Sequence, residues 1–410
     1  MTDDFDKELT VSLHKHAGAV PPRPNLAGAA IRRAHGIRRR RRIGAAVAAA
    51  AVVAIAVPVG LQAGDSLTRG DRTPAPVEQD ERPDERQERE PTRVRLTVDL
   101  AELDAGDPPN VPYLDGTRLV VDGSAIDLGA SAEEIYAITY AGDSAYFSER
   151  VNDNGDLELR SAPDAGVDGP VVGGPWGSPD GQYVAVLEQG SRIRAIDTLK
   201  GVEHEADLPP GQQLGSISFV GTTAFLFTND PTAGTHTLLR WTFDDGELTE
   251  VDGVVRATAL SPDGELVADM YKVDDLTVST CTRVTSLTTG AVQWETCRHR
   301  IEGFSTDGRY VWGTQEYASG SGDTYNVVLD ALTGEQVLRV DGPDSMDRPL
   351  LFYDSMFESA TTLLIRAEQG GQAALVRCDL TTGECERATG LADVEFPYEG
   401  RTPYKLIGHG

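Results

Sequence analysis

Three stretches of the chain pass through nearly the same turn into an apolar run: WGSPDGQYVAVL (176–187), LSPDGELVA (260–268) and GFSTDGRYVWG (303–313). In S-P-D-G, proline presets φ at the first corner, aspartate can hydrogen-bond its own backbone, and glycine takes the conformation other residues resist. An apolar run on either side makes each copy a hairpin. One such turn is common in loops, whereas recurrence at a fixed period constrains a whole fold. The turn aspartates Asp180, Asp263 and Asp307 are separated by 83 and 44 residues, and the first gap is close to two of the second. A degenerate copy, SISFVGTTAFLFT (216–228), falls where the missing turn should be. Looser versions are PYLDGTRLVV (112–121), ITYAGDSAYF (138–147) and SMFESATTLLI (355–365), so the unit of about 40 residues opens about seven times.

Each unit also closes in a recognisable way. IDTLKGVE, VTSLTTGAVQW, VLDALTGEQVLRV and CDLTTGECERA each read as strand, Thr/Gly-containing turn, strand. The intervening runs, such as RVRLTVDL, QYVAVLE, TAFLFT and TTLLIRAE, are short and rich in β-branched and aromatic residues. No long helical period appears after residue 97. A unit of about 40 residues with four short strands is the period of a propeller blade. Stacking blades covers their faces, and closing the ring removes unpaired edges. The expected fold is therefore all-β, a propeller of about seven four-stranded blades over residues 97–410.

The repeats resemble the TolB-type, WD-repeat-like propeller family, whose blades carry an F-S-P-D-G hairpin after the first strand. The residues that carry the resemblance are Ser178, Pro179, Asp180 and Gly181; Ser261, Pro262, Asp263 and Gly264; and Ser305, Asp307 and Gly308, with Thr306 in place of proline. The whole arrangement is similar to single-pass membrane proteins of actinobacteria that carry a short basic tail, an Ala-rich anchor and an external propeller. The resemblance implies a fold and an address, and little chemistry, because propellers host very different activities.

Charge divides the chain. The formal net charge is −28, yet residues 1–42 hold ten Lys/Arg against four Asp/Glu. An acidic body of this size repels nucleic acid, so no nucleic-acid partner is expected. Between the two regions stands IGAAVAAAAVVAIAVPVGLQA (43–63), which has no charged residue. At about 1.5 Å per residue it spans the roughly 30 Å hydrocarbon core as a transmembrane helix. RRRRR (38–42) precedes it and acidic GDS follows, which places the basic tail 1–42 in the cytoplasm and residues 64–410 outside. Residues 64–96, with TPAPVEQDERPDERQEREPTR, mix proline with dense charge and read as an extended linker. In the tail, Phe5, Leu9, Leu13 and His16 fall near one face of a short helix, so residues 1–36 can hold a cytoplasmic protein partner. This resembles actinobacterial tails that work with sigma factors, although the His-Cys-Cys zinc pattern of one anti-sigma class is missing. The arginines also suit anionic lipid.

All four cysteines lie on the outer side, and each pair is nearly symmetric about a T-T-G turn: Cys281 and Cys297 about Thr289, Cys378 and Cys385 about Thr381-Thr382. Cross-strand neighbours lie within disulfide range. With no C-x-x-C and an oxidising compartment, structural bridges 281–297 and 378–385 are expected, though a one-residue bulge at Gly383 would misalign the second.

Motifs for chemistry are sparse. His204, His236, His299 and His409 are scattered, and no zinc, G-x-S-x-G, Walker A or G-x-G-x-x-G pattern occurs, so no cofactor or metal is expected. NDNGDLE (152–158) offers oxygen ligands for calcium, but departs from the EF-hand spacing and contains the hairpin signal Asn154-Gly155. Acidic loops can offer oxygens to cations at a propeller axis, without marking which. Trp176, Trp241, Trp294 and Trp312 fall one per unit in four consecutive units and read as blade-to-blade packing or an aromatic platform. The functional expectation is a non-enzymatic, membrane-anchored propeller that binds a protein, peptide or envelope component. The alternatives are a transmembrane regulator and a propeller enzyme of lactonase or glycosidase type.

Overall fold

The computed structural model describes residues 94–410 except 131–133, 153–154, 163–166, 244–245, 275–278, 317–321, 344–347, 395–402 and 408–410. The basic tail, the apolar stretch 43–63 and the linker up to residue 93 lie outside the described residues. No helix among the described residues is long and apolar enough to cross a membrane.

The described strands form seven sheets of four or five strands, numbered here as blades along the chain. Blade 2 spans 135–171, blade 3 173–207, blade 4 213–250, blade 5 257–296, blade 6 299–341 and blade 7 350–387. In each, four strands pair in sequence order. First strands meet between blades 2 and 3, 3 and 4, 5 and 6, and 7 and 1, which sets them around the axis. The first hairpins of blades 2 to 7 hold the repeated turns, and the four strand–turn–strand segments read from the sequence are the outer hairpins of blades 3, 5, 6 and 7.

Blade 1 is composite. Its second to fourth strands are Tyr113–Asp115, Arg118–Val121 and Ser124–Asp127, while its first strand, Tyr404–Leu406, comes from the other end of the chain. Tyr113 pairs with Leu406 and Asp115 with Tyr404. The N-terminal strand Val94–Thr97 crosses elsewhere, adding in parallel to the outer strand Gln336–Asp341 of blade 6. It begins three residues inside the span 64–96 assigned to the linker, because its backbone completes a sheet edge that composition does not reveal.

Between that strand and blade 1 the chain straps across blade 7. Leu100 N–H donates to Gln369 Oε1 at 2.8 Å, and Ala105 bridges to Arg387. Arg377 is the rivet. Its Nε and Nη2 grip Glu358 at 2.6 and 2.9 Å, Nη1 reaches Glu386 Oε1 at 2.9 Å, and Nη1 and Nη2 donate to the carbonyls of Asp107 and Pro108 at 2.8 and 2.9 Å. A planar fork of five N–H donors makes this possible, and lysine could not reproduce it. These bonds and the surrounding carboxylates raise the already high arginine pKa further.

The core is divided among the blade interfaces, where apolar clusters unite residues of two neighbours. Leu119 and Phe147 join blades 1 and 2, Leu159 and Val186 blades 2 and 3, and Ile193 and Trp241 blades 3 and 4. Phe227 and Val267 join blades 4 and 5, Val284 and Ile301 blades 5 and 6, and Leu338 and Phe352 blades 6 and 7. Leu375 and Leu406 close the circle between blades 7 and 1. Each strand alternates its side chains between the two interfaces its blade shares, which is why the sequence reads as short apolar runs.

Replacing Arg377 by alanine leaves the buried Glu358 carboxylate without its partner and frees the strap. Urea unfolding is expected to show a loss of about 3–5 kcal/mol. An exposed charge of the same strap, Glu102→Ala, is expected to change stability by no more than about 0.5 kcal/mol.

Candidate functional site

The three S-x-D-G turns fold identically. The serine Oγ, buried in each case, donates to the aspartate Oδ1 at 2.5 Å in Ser178–Asp180, 2.6 Å in Ser261–Asp263 and 2.7 Å in Ser305–Asp307. The same Oγ accepts the N–H of Tyr183, Leu266 or Tyr310, and the same Oδ1 accepts that of Gln182, Glu265 or Arg309. Glycine N–H closes the turn on the serine carbonyl at 2.9 Å. Proline takes no part in this network, so Thr306 substitutes for it freely. The serine is the buried hub of the turn.

Glycine is required for a further reason. Gly181, Gly264 and Gly308 have φ of 70, 73 and 75° and sit against the preceding blade's turn. Gly181 accepts a backbone hydrogen bond from Gly142 of blade 2, Gly264 lies on Val220 of blade 4, and Gly308 lies on Ser261 and Pro262 of blade 5. The turns therefore touch around the ring. The degenerate openings of blades 2, 4 and 7 solve the problem differently, as two-residue hairpins closed by the pairs Ala141–Ser144, Val220–Thr223 and Ser359–Thr362. The copy expected at 112–121 is not an opening: its turn, closed by Asp115–Arg118, joins the second and third strands of blade 1, because the first strand of that blade comes from Tyr404–Leu406.

These turns rim an axial cavity of about 350 Å³. Pro179, Pro262 and Thr306 are exposed at its mouth, and Phe219, Leu260, Phe304, Met356 and Phe357 supply apolar wall from blades 4 to 7. Ser216, Ser218, Thr258 and Ser355 add hydroxyls. A rigid, mostly apolar concavity with a few polar groups is suited to holding a side chain or a short chain segment.

The cysteines pair as the spacing indicates. Cys281 is bonded to Cys297 across blade 5 and Cys378 to Cys385 across blade 7, with Cα separations of 4.0 and 4.1 Å. Gly383 does not shift the second pair, since Cys378 and Cys385 are direct cross-strand partners. The tryptophans occupy four different strand positions and form no common platform. Trp241 is fully buried, Trp294 Nε1 donates to Ala331 O of the next blade at 2.8 Å, and Trp176 packs on the cluster between blades 3 and 4. Trp312 alone of the four lines the axial cavity.

None of the described histidines lines that cavity. His204 stacks on Phe243, and His236 stands on the third strand of blade 4. His299 Nδ1 meets the Tyr325 hydroxyl at 3.1 Å, and burial together with Arg339 lowers its pKa to about 4. Around 152–158, Asn152 Nδ2 donates to Asp156 Oδ2 at 2.7 Å and Gly155 N–H closes a turn on Asn152 O, while residues 153–154 lie outside the described residues. Among the described residues no group of three His, Cys, Asp or Glu could hold a metal ion. Sequence reasoning missed the charged residues on the first strands of blades 6 and 7, Arg300, Glu302 and Asp354, because no motif marks them and only the ring brings them together.

No family model and no curated protein matches the chain. Among solved structures it is similar to the β-propeller domain of Myceliophteria thermophila Cps50 (Swd1), with 11% identity and a TM-score of 0.43 over 63% of this chain and 86% of that one. A chain of a mitotic checkpoint complex gives 11% identity and a TM-score of 0.43 over 71% and 86%. Strand pairing, rather than either likeness, defines the fold as a seven-bladed propeller.

Two substitutions separate the roles within a turn. Ser261→Ala strips the half-buried Leu266 N–H of its side-chain acceptor and should cost about 1–2 kcal/mol in thermal or urea unfolding. Thr306→Pro restores the residue found in the other two turns and should be neutral or stabilising by up to about 1 kcal/mol.

Proposed function

We propose that the protein is a membrane-anchored, extracytoplasmic binding or sensing module of the TolB-like, single-pass kind, whose propeller holds a protein, peptide or envelope component. The observation that carries this reading is the axial cavity, an apolar concavity walled by four blades and rimmed by turns already saturated with internal hydrogen bonds. Such a rim loses little conformational entropy when a partner docks. Two disulfides support an oxidising compartment, and the 21-residue apolar stretch behind five arginines supports the anchor and its orientation. The linker between them would set the height of the ring above the bilayer.

Capture from an envelope extract under mild crosslinking tests the proposal, using the full-length chain and a fragment that begins at Arg86, ahead of the strand Val94–Thr97. Both are expected to retain the same envelope component. Thr306→Trp, which places an indole across the mouth, should abolish capture while changing stability by no more than about 0.5 kcal/mol. Capture of a cytoplasmic partner alone, lost on deleting residues 1–36, would replace this reading with that of a transmembrane regulator.

A further inference from the structure

A cavity of about 190 Å³ opens between blades 4 and 5, beside the axial one, with which it shares Ser216 and Phe227. It lies where the first strands of these blades begin, away from the repeated turns. Asn229 and His236 are direct partners in the ladder between the second and third strands of blade 4. Side chains alternate along a strand, so both project on the same face as Phe227 and Leu238, the face that packs on Val267 of blade 5. The apolar interface therefore ends in an amide and an imidazole. Gly215 is the extra residue between the pairs Leu214–Thr228 and Ser216–Phe227, and with no side chain it leaves the space open. Arg256, just ahead of the first strand of blade 5, supplies the facing wall.

Among the described residues Arg256 is the charged member of this lining, and no carboxylate belongs to it. The cavity between blades 6 and 7 is the contrast, since Glu302, Asp323 and Asp354 line it beside Arg300. The Arg256 guanidinium makes no hydrogen bond or ion pair among the described residues. Glu302 of blade 6 feels its charge, but that carboxylate is engaged by Arg300 and lines the neighbouring cavities instead. The side chains of Asn229, His236 and Ser216 likewise have no hydrogen-bond partner among the described residues. Burial and the Arg256 charge both hold the His236 pKa below its usual value, and no carboxylate acts the other way. At neutral pH the ring is therefore uncharged, with one N–H to donate.

We propose that this cavity binds a single carboxylate group, carried either by a small free acid or by a peptide. A carboxylate only accepts, and four unfilled donors meet it here: the Arg256 fork, the Asn229 amide, the His236 N–H and the Ser216 hydroxyl. A guanidinium matches a carboxylate in plane and spacing. An ammonium would meet a cation and find no carboxylate in the lining. A phosphate monoester would bring a charge of about −1.5 to −2 against one arginine, in a chain whose formal net charge is −28. The volume is below that of ordinary ligand pockets, about 300–1,000 Å³, and suits the end of one acidic chain. This site is separate from capture at the axial mouth, so either can fail without the other.

The test titrates the full-length chain with butyrate, with N-acetyl-glutamate methylamide, with n-butanol and with inorganic phosphate, read by calorimetry and by the NMR signals of the His236 ring. Saturable binding of at least one carboxylate is expected, with a shift of the His236 signals, and none of the uncharged alcohol. Affinity should fall at least about tenfold in Arg256→Gln, through the loss of charge-assisted hydrogen bonds. Asn229→Asp, which adds a carboxylate to the lining, should abolish binding. Arg256 is exposed, so its variant is expected to fold and decides the matter alone if Asn229→Asp does not. Butyrate binding without the blocked glutamate assigns a free acid, and the reverse assigns a peptide. The proposal is overturned if neither carboxylate binds, if butanol binds equally, if phosphate binds more tightly than both acids, or if Arg256→Gln binds as the parent does.

Discussion

Every blade leaves both of its faces to be covered by neighbours, so the structure depends on the contact between the last blade and the first. That contact is built from the two ends of the propeller chain. The C-terminal strand Tyr404–Leu406 supplies the inner strand of blade 1, and Leu406 enters the cluster shared with blade 7. The N-terminal segment then crosses blade 7 under Arg377 and adds Val94–Thr97 to blade 6. A ring opened at this point would expose an apolar interface and two strand edges, and both are templates for wrong pairing. Closure is thus a tertiary event that makes the seven local units into one cooperative object.

Once the ring is shut, its two ends acquire different characters. At the end of the repeated turns, hydroxyl–carboxylate hydrogen bonds satisfy the aspartates internally, so Asp180, Asp263 and Asp307 are scaffolding. The outer hairpins use the same device. The buried Asp197 carboxyl would be raised by burial, but hydrogen bonds from Gln182, Lys200 and Leu199 outweigh this and hold its pKa at about 2. At the other end, bulges in blades 6 and 7 bring Glu302 and Asp354 to the lining of the cavity between those blades, together with Arg300 and Asp323.

The two disulfides fit this division. Each joins a third strand to the edge beyond it, far along the blade from the axis, in blades 5 and 7. In the chain-entropy view loops of these lengths contribute about 2–3 kcal/mol each. They secure the outer hairpins that the axial contacts do not reach.

Much of the fold was legible in the sequence. A period near 40 residues, turn signals and alternating apolar runs determine the local hairpins, because these depend on residues close in the chain. The cysteine pairs were legible for the same reason, each spanning one hairpin. The serine of the repeated turn was read as part of a motif, yet its role as buried hub appears only with the hydrogen bonds it makes. What tertiary structure decided is everything that joins distant segments: the strap from Val94 across blade 7, the exchange of Tyr404–Leu406 into blade 1, and the meeting of Arg300, Glu302, Asp323 and Asp354 in one cavity. Those contacts leave no periodic trace, since a bulge is a backbone register and a charge pair across two blades has no fixed spacing along the chain.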